Sequence, residues 1–582
     1  MISLAWATAQ IRQPPMPTPA PTPAAQPRSW FEPPASAAAT AADWDADSAI
    51  ARPAPAIARP ALVIDPPAPI TDRPSVPASN RGLAYVRPLL LIAILTVQAL
   101  LSLRLVWSNS AYVDEATYLW AGHLEIAQWL HGGRVPPFQT WFSGAPVIYP
   151  PIGALADSAG GLAGARILSL ACMTGVTALA WNITSRLFDS RAAFFAAALF
   201  AALGPTHFLG ALATYDAMAL LLMAMATWCV VAARDHADST LLLVAGAVGL
   251  MLANATKYAT VLFDPVVIIL AALIIAHKRG VKPALGRGGY LAASVSALVA
   301  ALLATGGPSY LAGVMYTTAA RATGDNPPAQ VLEDAWKWAG VVCALAWLGI
   351  IVGLWRGSKP QTMVLSLLAA AGMLAPLSQA RIHTITSLHK HVDFGAWLAA
   401  PAAGYALAQL SRIGKRRALS LVTAGMIASA IIRPVGFIGW AQASSLYHEW
   451  PASSRVIATL RGLTRAHPGN YLAEDYDIPA YYLQSSVSWQ RWSNTWYFSY
   501  KPPGAPRPLT GAAAYRAAIA RHYFSLVILD FGATRGMDNR IAADLRRADG
   551  YQIVAVVPSS VGQYTIWAYQ PQQRSRTRHD HR

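Results

Sequence analysis

The sequence predicts an α-helical polytopic membrane protein carrying a small α/β domain at its C-terminal end. Three observations predict it. Apolar runs of about 17–25 residues, the length that crosses a hydrocarbon core, recur along the middle of the chain. Of its 582 residues, 54% are hydrophobic and only 13% charged, with a mean hydropathy of +0.35. After residue 440 the apolar runs shorten, and strand-like and helix-like stretches alternate.

Residues 1–85 are rich in Pro and Ala, as in PTPAPTPAAQP, and are expected to be disordered and cytoplasmic because such a composition buries no core. No charged, apolar and cleavage regions of a secretory signal precede the first span, so that span is expected to act as the insertion signal. About eleven spans follow, near 86–107, 163–187, 192–209, 213–233, 240–256, 258–276, 289–307, 336–355, 361–379, 393–410 and 418–440.

With the N-terminus cytoplasmic, every inner loop is basic: Arg186 and Arg191; Arg234; Lys278, Arg279, Lys282 and Arg287; Arg356 and Lys359; Arg412, Lys415, Arg416 and Arg417. This satisfies the positive-inside rule. An odd number of spans then puts residues 441–571 outside the cell membrane. Within them, 524–531, 551–557 and 564–570 read as strands, and 451–464, 511–522 and 538–549 as helices. Residues 572–582 form a polar, basic tail.

The net charge of +17 resides mainly in short loops and tails, a distribution that fits anionic lipid heads and not nucleic acid. Cys172, Cys229 and Cys343 lie inside apolar runs, as small core residues do, and form no disulfide framework.

Four outer-face segments carry the candidate chemistry. Asp114 and Glu115 follow the first span and open an amphipathic helix, Ala116 to Leu130, expected to lie in the membrane interface. A carboxylate there is either a general base toward an incoming hydroxyl or a partner of the helix N-terminus. Asp216 opens the fourth span as a functional acid or an N-cap, with Thr214 the rival cap. Lys257, between the fifth and sixth spans, is a snorkelling lysine or a phosphate ligand. Arg381, His383, His389, Lys390 and His391 crowd one loop and invite an anion; His389-x-His391-x-Asp393 is a weak metal pattern. Beyond residue 480, Tyr481, Tyr482, Trp489, Trp492 and Trp496 are either sugar-stacking surfaces or membrane-facing packing.

DEATYLWAGH (114–123), the paired spans beginning ARILSLACMTGV and LATYDAMALLLMAMATW (212–228) occur in an order that resembles the GT-C class of membrane glycosyltransferases, specifically the protein-mannosyltransferase-like group that includes lipid A aminoarabinose transferases. The resemblance covers about residues 86–410. It implies inverting transfer of a sugar from a polyprenyl-phosphate donor to a hydroxyl of a glycan, glycolipid or protein acceptor. It also implies Asp114 as general base with Glu115 completing the pair, Asp216 as a second acidic site, and Lys257 with the 381–391 cluster as candidates for the donor phosphate. A divalent metal ion is an open candidate for the stabilising cation, with Glu115 and Asp216 as its candidate ligands. A ligase using diphosphate-linked donors, a non-catalytic sugar-lipid-binding protein and a transporter are the alternatives; the one-faced charges and lack of a clear repeat argue against the last.

Overall fold

A computed structural model describes residues 78–571 apart from 236–238, 322, 413–416 and 561. The expectations for the Pro/Ala-rich stretch before residue 78 and for the basic tail lie outside these residues. Eight helices are long and apolar enough to cross a membrane, from Val86–Val106 through Leu419–Tyr447. Two further apolar helices, Ser190–Ala201 and Thr240–Thr256, are shorter.

In chain order the helical part comprises α1 (Ala78–Val106), α2 (Val113–His131), α3 (Tyr149–Leu187), α4 (Ser190–Ala201), α5 (Gly204–Leu209), α6 (Tyr215–Ala232) and α7 (Thr240–Thr256). It continues with α8 (Asp264–Arg279), α9 (Val281–Thr317), α10 (Pro328–Trp355), α11 (Lys359–Arg381), α12 (Leu388–Leu410), α13 (Arg417–Ile427) and α14 (Arg433–Tyr447). A π-helical turn, Ala428–Ile432, joins the last two.

α12 lies at the centre. From Phe394 to Leu407 it is apolar on all sides, as a helix surrounded by other helices must be, and nearly all of its residues are buried. Small residues let its neighbours approach closely: a Cβ on Gly404 would stand 2.4 Å from the carbonyl oxygen of Ala192 in α4. α1, by contrast, sits at the rim, with Leu89, Ile92 and Val97 more than half exposed to the bilayer side.

Several sequence expectations change. The span expected at 192–209 is two pieces, because the chain leaves the helix at Ala202–Leu203 before Gly204 and Pro205 start α5. α4 alone, with 12 residues, reaches about 18 Å, short of a hydrocarbon core. The long loop expected at 108–162 is largely helical, since α3 starts at Tyr149 and kinks at Gly160–Gly161. The segment after 307 is helical too: Gly307 adopts φ 76, which only glycine takes readily, and α9 bends there and runs on to Thr317.

At the C-terminal end the three expected strands and three expected helices appear, as β5 (Phe524–Leu529), β6 (Tyr551–Pro558) and β7 (Gln563–Tyr569), and as α15 (Ser454–Ala466), α17 (Gly511–Ile519) and α18 (Arg535–Arg547). Shorter pieces went unread: β1 (Asn470–Ala473), α16 (Asp477–Leu483), β2 (Trp492–Ser493), β3 (Ser499–Tyr500) and β4 (Leu509–Thr510). The main sheet has the order β2-β1-β5-β7-β6, with β1 parallel to β2 and β5, and β7 antiparallel to β5 and β6.

Alternation along these strands gives the sheet two apolar faces. Leu472, Val527 and Trp567 pack with Ile541 and Leu545 of α18. Tyr471, Leu526 and Ile566 join Ile457 of α15 and Trp120 of α2 in another cluster. The second face therefore seats the sheet against the helix that carries Asp114.

Candidate functional site

The acidic pair occupies the first turn of α2, where carboxylates complement the positive helix end. Neighbours on a helix point about 100° apart, and the two side chains part company accordingly. Glu115 turns inward. Its Oε1 accepts from Arg166 Nε at 2.8 Å and the Ala213 backbone at 2.7 Å. Its Oε2 accepts from Arg166 Nη2 at 2.6 Å and the Tyr112 backbone at 2.9 Å. Both side chains of this ion pair are 0% exposed. Arg166 also donates to the carbonyls of Val106, Asn109 and Ser110. The pair thus ties the end of α1, the start of α2, α3 and the approach to α6 into one knot.

Asp114 faces the other way. Its Oδ2 accepts from Lys390 Nζ at 2.7 Å; the carboxylate keeps 26% exposure while the lysine has 5%. Lys390 Nζ also lies 5.6 Å from the centre of the Tyr112 ring. Lys390 and His391 are in the first turn of α12, because the loop from α11 ends at Ser387, held left-handed at φ 57. That conformation is costly for a non-glycine residue, and it aims Lys390 and His391.

Asp216 stands at the start of α6. Its Oδ1 meets Lys257 Nζ at 2.6 Å, and its Oδ2 accepts from Thr214 Oγ1 at 2.9 Å. Thr214 occupies the cap position without a side-chain cap bond. Lys257 follows α7 with 3% exposure, so it points into protein and does not snorkel. Its Nζ lies 4.8 Å from the Tyr215 ring centre, and Lys390 stands in the field of both Asp114 and Asp216.

A cavity of about 320 Å³ opens beside these groups, lined among others by Tyr215, Lys257, Tyr258, Arg321, Gln379 and His391. His391 Nδ1 lies 3.1 Å from Gln379 Oε1. Arg321 makes no ion pair among the described residues. Asp114, Asp216, Lys257, Lys390 and His391 therefore gather at one end of the bundle. Arg381 and His389 do not join them: Arg381 ends α11 exposed, and His389 packs against Phe208 and Trp338 at 5.0 and 5.7 Å between ring centres.

Two residues escaped the sequence reading. Arg321 sits in a loop with no local signal. Arg166 did carry one, since a lone arginine inside an apolar run needs a partner.

The donor set argues against a resident divalent ion on Glu115 and Asp216. Glu115 already accepts from four donors, and Asp216 from a lysine and a hydroxyl. Among the described residues, the acids that do converge are elsewhere: Glu474 after β1, Asp530 after β5, and Asp538 in α18 place oxygens within 4.8 Å of one another. Backbone N–H groups of Gly532, Thr534 and Phe531 donate to Glu474 and Asp538. Beside them burial pushes Asp477 up to about 7, with the Asp475 charge adding to the shift.

A cleft of about 70 Å³ links Glu474 and Asp530 with Tyr112 and Val113, next to Asp114. The aromatic residues near 481 hold this seam together. Tyr481 donates to Asp157 at 2.5 Å, and Tyr482 accepts from the Ala111 backbone at 2.9 Å.

Comparison with known proteins bears out the resemblance read from the sequence. A family model described as dolichyl-phosphate-mannose-protein mannosyltransferase matches residues 154–305. The structure is similar to ArnT from Cupriavidus metallidurans bound to undecaprenyl phosphate, at 14% identity and a TM-score of 0.52, covering 83% of this chain and 98% of that one. It is also similar to the Archaeoglobus fulgidus oligosaccharyltransferase in the apo form, at 14% identity and a TM-score of 0.51, covering 83% and 75% respectively. The same archaeal enzyme in complex with an inhibitory peptide and a dolichol-phosphate gives 13% and 0.50, covering 83% and 74%. No curated protein sequence matches. The chain has the fold of the GT-C class: a polytopic helical body followed by a small sheet region.

Proposed function

We propose that the protein is an integral-membrane glycosyltransferase that moves a sugar from a polyprenyl-phosphate donor to an acceptor hydroxyl, with inversion. The face is the one that the basic-loop pattern makes extracytoplasmic. One observation carries this reading: an accessible carboxylate, Asp114, stands at the same end of the bundle as a cavity lined by Lys257, Arg321 and His391. The family-model match and the shared fold with ArnT support the donor class.

Each group has a task in this chemistry. The acceptor oxygen forms a bond to the anomeric carbon, its proton passes to Asp114, and the C–O bond to phosphate breaks with its electron pair leaving on the phosphate. The leaving phosphate gains about one negative charge, so cations aimed at it hold the transition state more tightly than the ground state. Lys257 and Arg321 are placed for that, with His391 and the tyrosines shaping the wall. Asp216 holds Lys257, and Lys390 pairs with Asp114 and fixes its direction. No step runs through a metal. Glu115 is the structural half of the acidic pair, and Asp114 the catalytic half.

The acceptor is a glycan, glycolipid or protein hydroxyl, presented between α2 and the C-terminal sheet region. The test is purified protein incubated with polyprenyl-phosphate sugars and, in parallel, polyprenyl-diphosphate sugars. Transfer from the monophosphate donors is expected. Transfer from diphosphate donors alone would replace this reading with a ligase.

A further inference from the structure

The end of the bundle opposite Asp114 holds a second and larger cavity, of about 740 Å³. α6 starts at the first site and is 18 residues long, a span of about 27 Å. α11 runs the other way, from Lys359 here to Ser378 and Gln379 at the first cavity.

The walls of this second cavity are of two kinds. Leu187, Phe188, Leu273 and Ile274 form an apolar side, and Arg234, His277 and Lys359 a basic one. The acid at its edge, Asp235, is shared by Arg186 at 3.3 Å and Arg234 at 3.7 Å. Lys359 makes no ion pair among the described residues. Among the described residues, the balance at the cavity is therefore positive.

Its surroundings indicate what medium it opens into. Leu241 at the start of α7, Trp355 at the end of α10 and Met363 near the start of α11 are 81%, 83% and 55% exposed. Apolar side chains so exposed at helix ends belong against acyl chains, and a tryptophan among them marks the interface level. A cavity at that level, basic on one wall and apolar on the other, fits a molecule with a phosphate head and a hydrocarbon tail.

We propose that this cavity binds an anionic phospholipid from the leaflet at that end of the bundle, its phosphate between Arg234 and Lys359 and its acyl chains along Leu273 and Ile274. Bound lipid joins the ends of α6, α8 and α11, two of which carry Tyr215 and Gln379 of the first site at their far ends. Lipid occupancy therefore stabilises the helices that frame the first cavity.

The test uses full-length protein in detergent, titrated with phosphatidylglycerol, with phosphatidylcholine and with inorganic phosphate, and read by native mass spectrometry and thermal unfolding. Phosphatidylglycerol is expected to be retained in preference to phosphatidylcholine and to raise the Tm. Lys359→Gln and Arg234→Gln should each cut that preference about fivefold, the worth of one basic residue at an anionic surface. Lys359→Glu should cut it further. Lys359 is exposed, so its variants fold even if Arg234→Gln does not. Equal retention of the two lipids, or an undiminished preference in Lys359→Glu, overturns the proposal. So does stabilisation by inorganic phosphate equal to that by phosphatidylglycerol, which would make the site one for a soluble anion.

Discussion

Glu115→Gln separates the two halves of the acidic pair. The substitution keeps the shape of the side chain and removes its charge. Arg166 then remains at 0% exposure with three backbone carbonyls and no counter-ion. Breaking a buried pair from one side costs about 3–5 kcal/mol. The amide nitrogen takes the place of one oxygen, and each oxygen accepts from one Arg166 nitrogen and one backbone N–H, so two of the four hydrogen bonds to Glu115 turn repulsive. A buried donor left unpaired costs about 1–3 kcal/mol.

Replacing both partners, as Glu115→Leu with Arg166→Met, removes the stranded charge but orphans the Tyr112 and Ala213 N–H groups. The double variant should therefore recover only part of the loss. Thermal unfolding in detergent reads the stability, and the double-mutant cycle reads the coupling between the two residues. Activity per folded molecule should stay within a few-fold of the parent in Glu115→Gln. A Glu115→Gln protein as stable as the parent, yet inactive, would refute the structural role and return Glu115 to the chemistry.

Other outcomes follow from the same geometry. Arg321→Ala should lower kcat/KM for donor by about 10–100-fold, the worth of a hydrogen bond to a charged group, chiefly through kcat because the contact strengthens in the transition state, with the Tm unchanged; steady-state kinetics over a donor series checks it. The Asp477 carboxyl is held up to about 7 by burial and by the Asp475 charge. Its neutral form favours the folded state, so that stability is full below the usual carboxylate range near pH 4 and is lost as pH rises through about 7. Unfolding followed from pH 5 to 8 should show the decline, and Asp477→Asn should make it shallower and be the more stable protein at pH 8.

The helical body was legible because long apolar runs have few other places to be. Its breaks were less so. The run at 192–209 is apolar up to Leu203, and Gly204-Pro205 signals that the chain leaves the helix there. The helix beyond Gly307 was missed for the opposite reason, because a Gly-Gly-Pro sequence reads as a terminus when it is a bend. β1 and β2 are four and two residues long, too short for period-two alternation to register.

At the site, residue types could be read but not their partners. Asp216 and Lys257 are 41 positions apart and Asp114 and Lys390 are 276, distances over which sequence spacing carries no geometry. Glu115 differs from Asp114 by one position and a turn of about 100°, and only the packing of Arg166 shows which of the two faces inward. His389 and Lys390 are separated by the same single step: the lysine reaches Asp114, and the histidine packs on Phe208.

The most direct test of the proposed base is Asp114→Asn, assayed under single-turnover conditions with a polyprenyl-phosphate sugar and a saturating acceptor. The account predicts a lowered Tm, because the nearly buried Lys390 loses its counter-ion, and a transfer rate per folded molecule lower by about 10²–10⁴-fold, the usual contribution of a positioned general base. Transfer at the parental rate in a folded Asp114→Asn protein would contradict it.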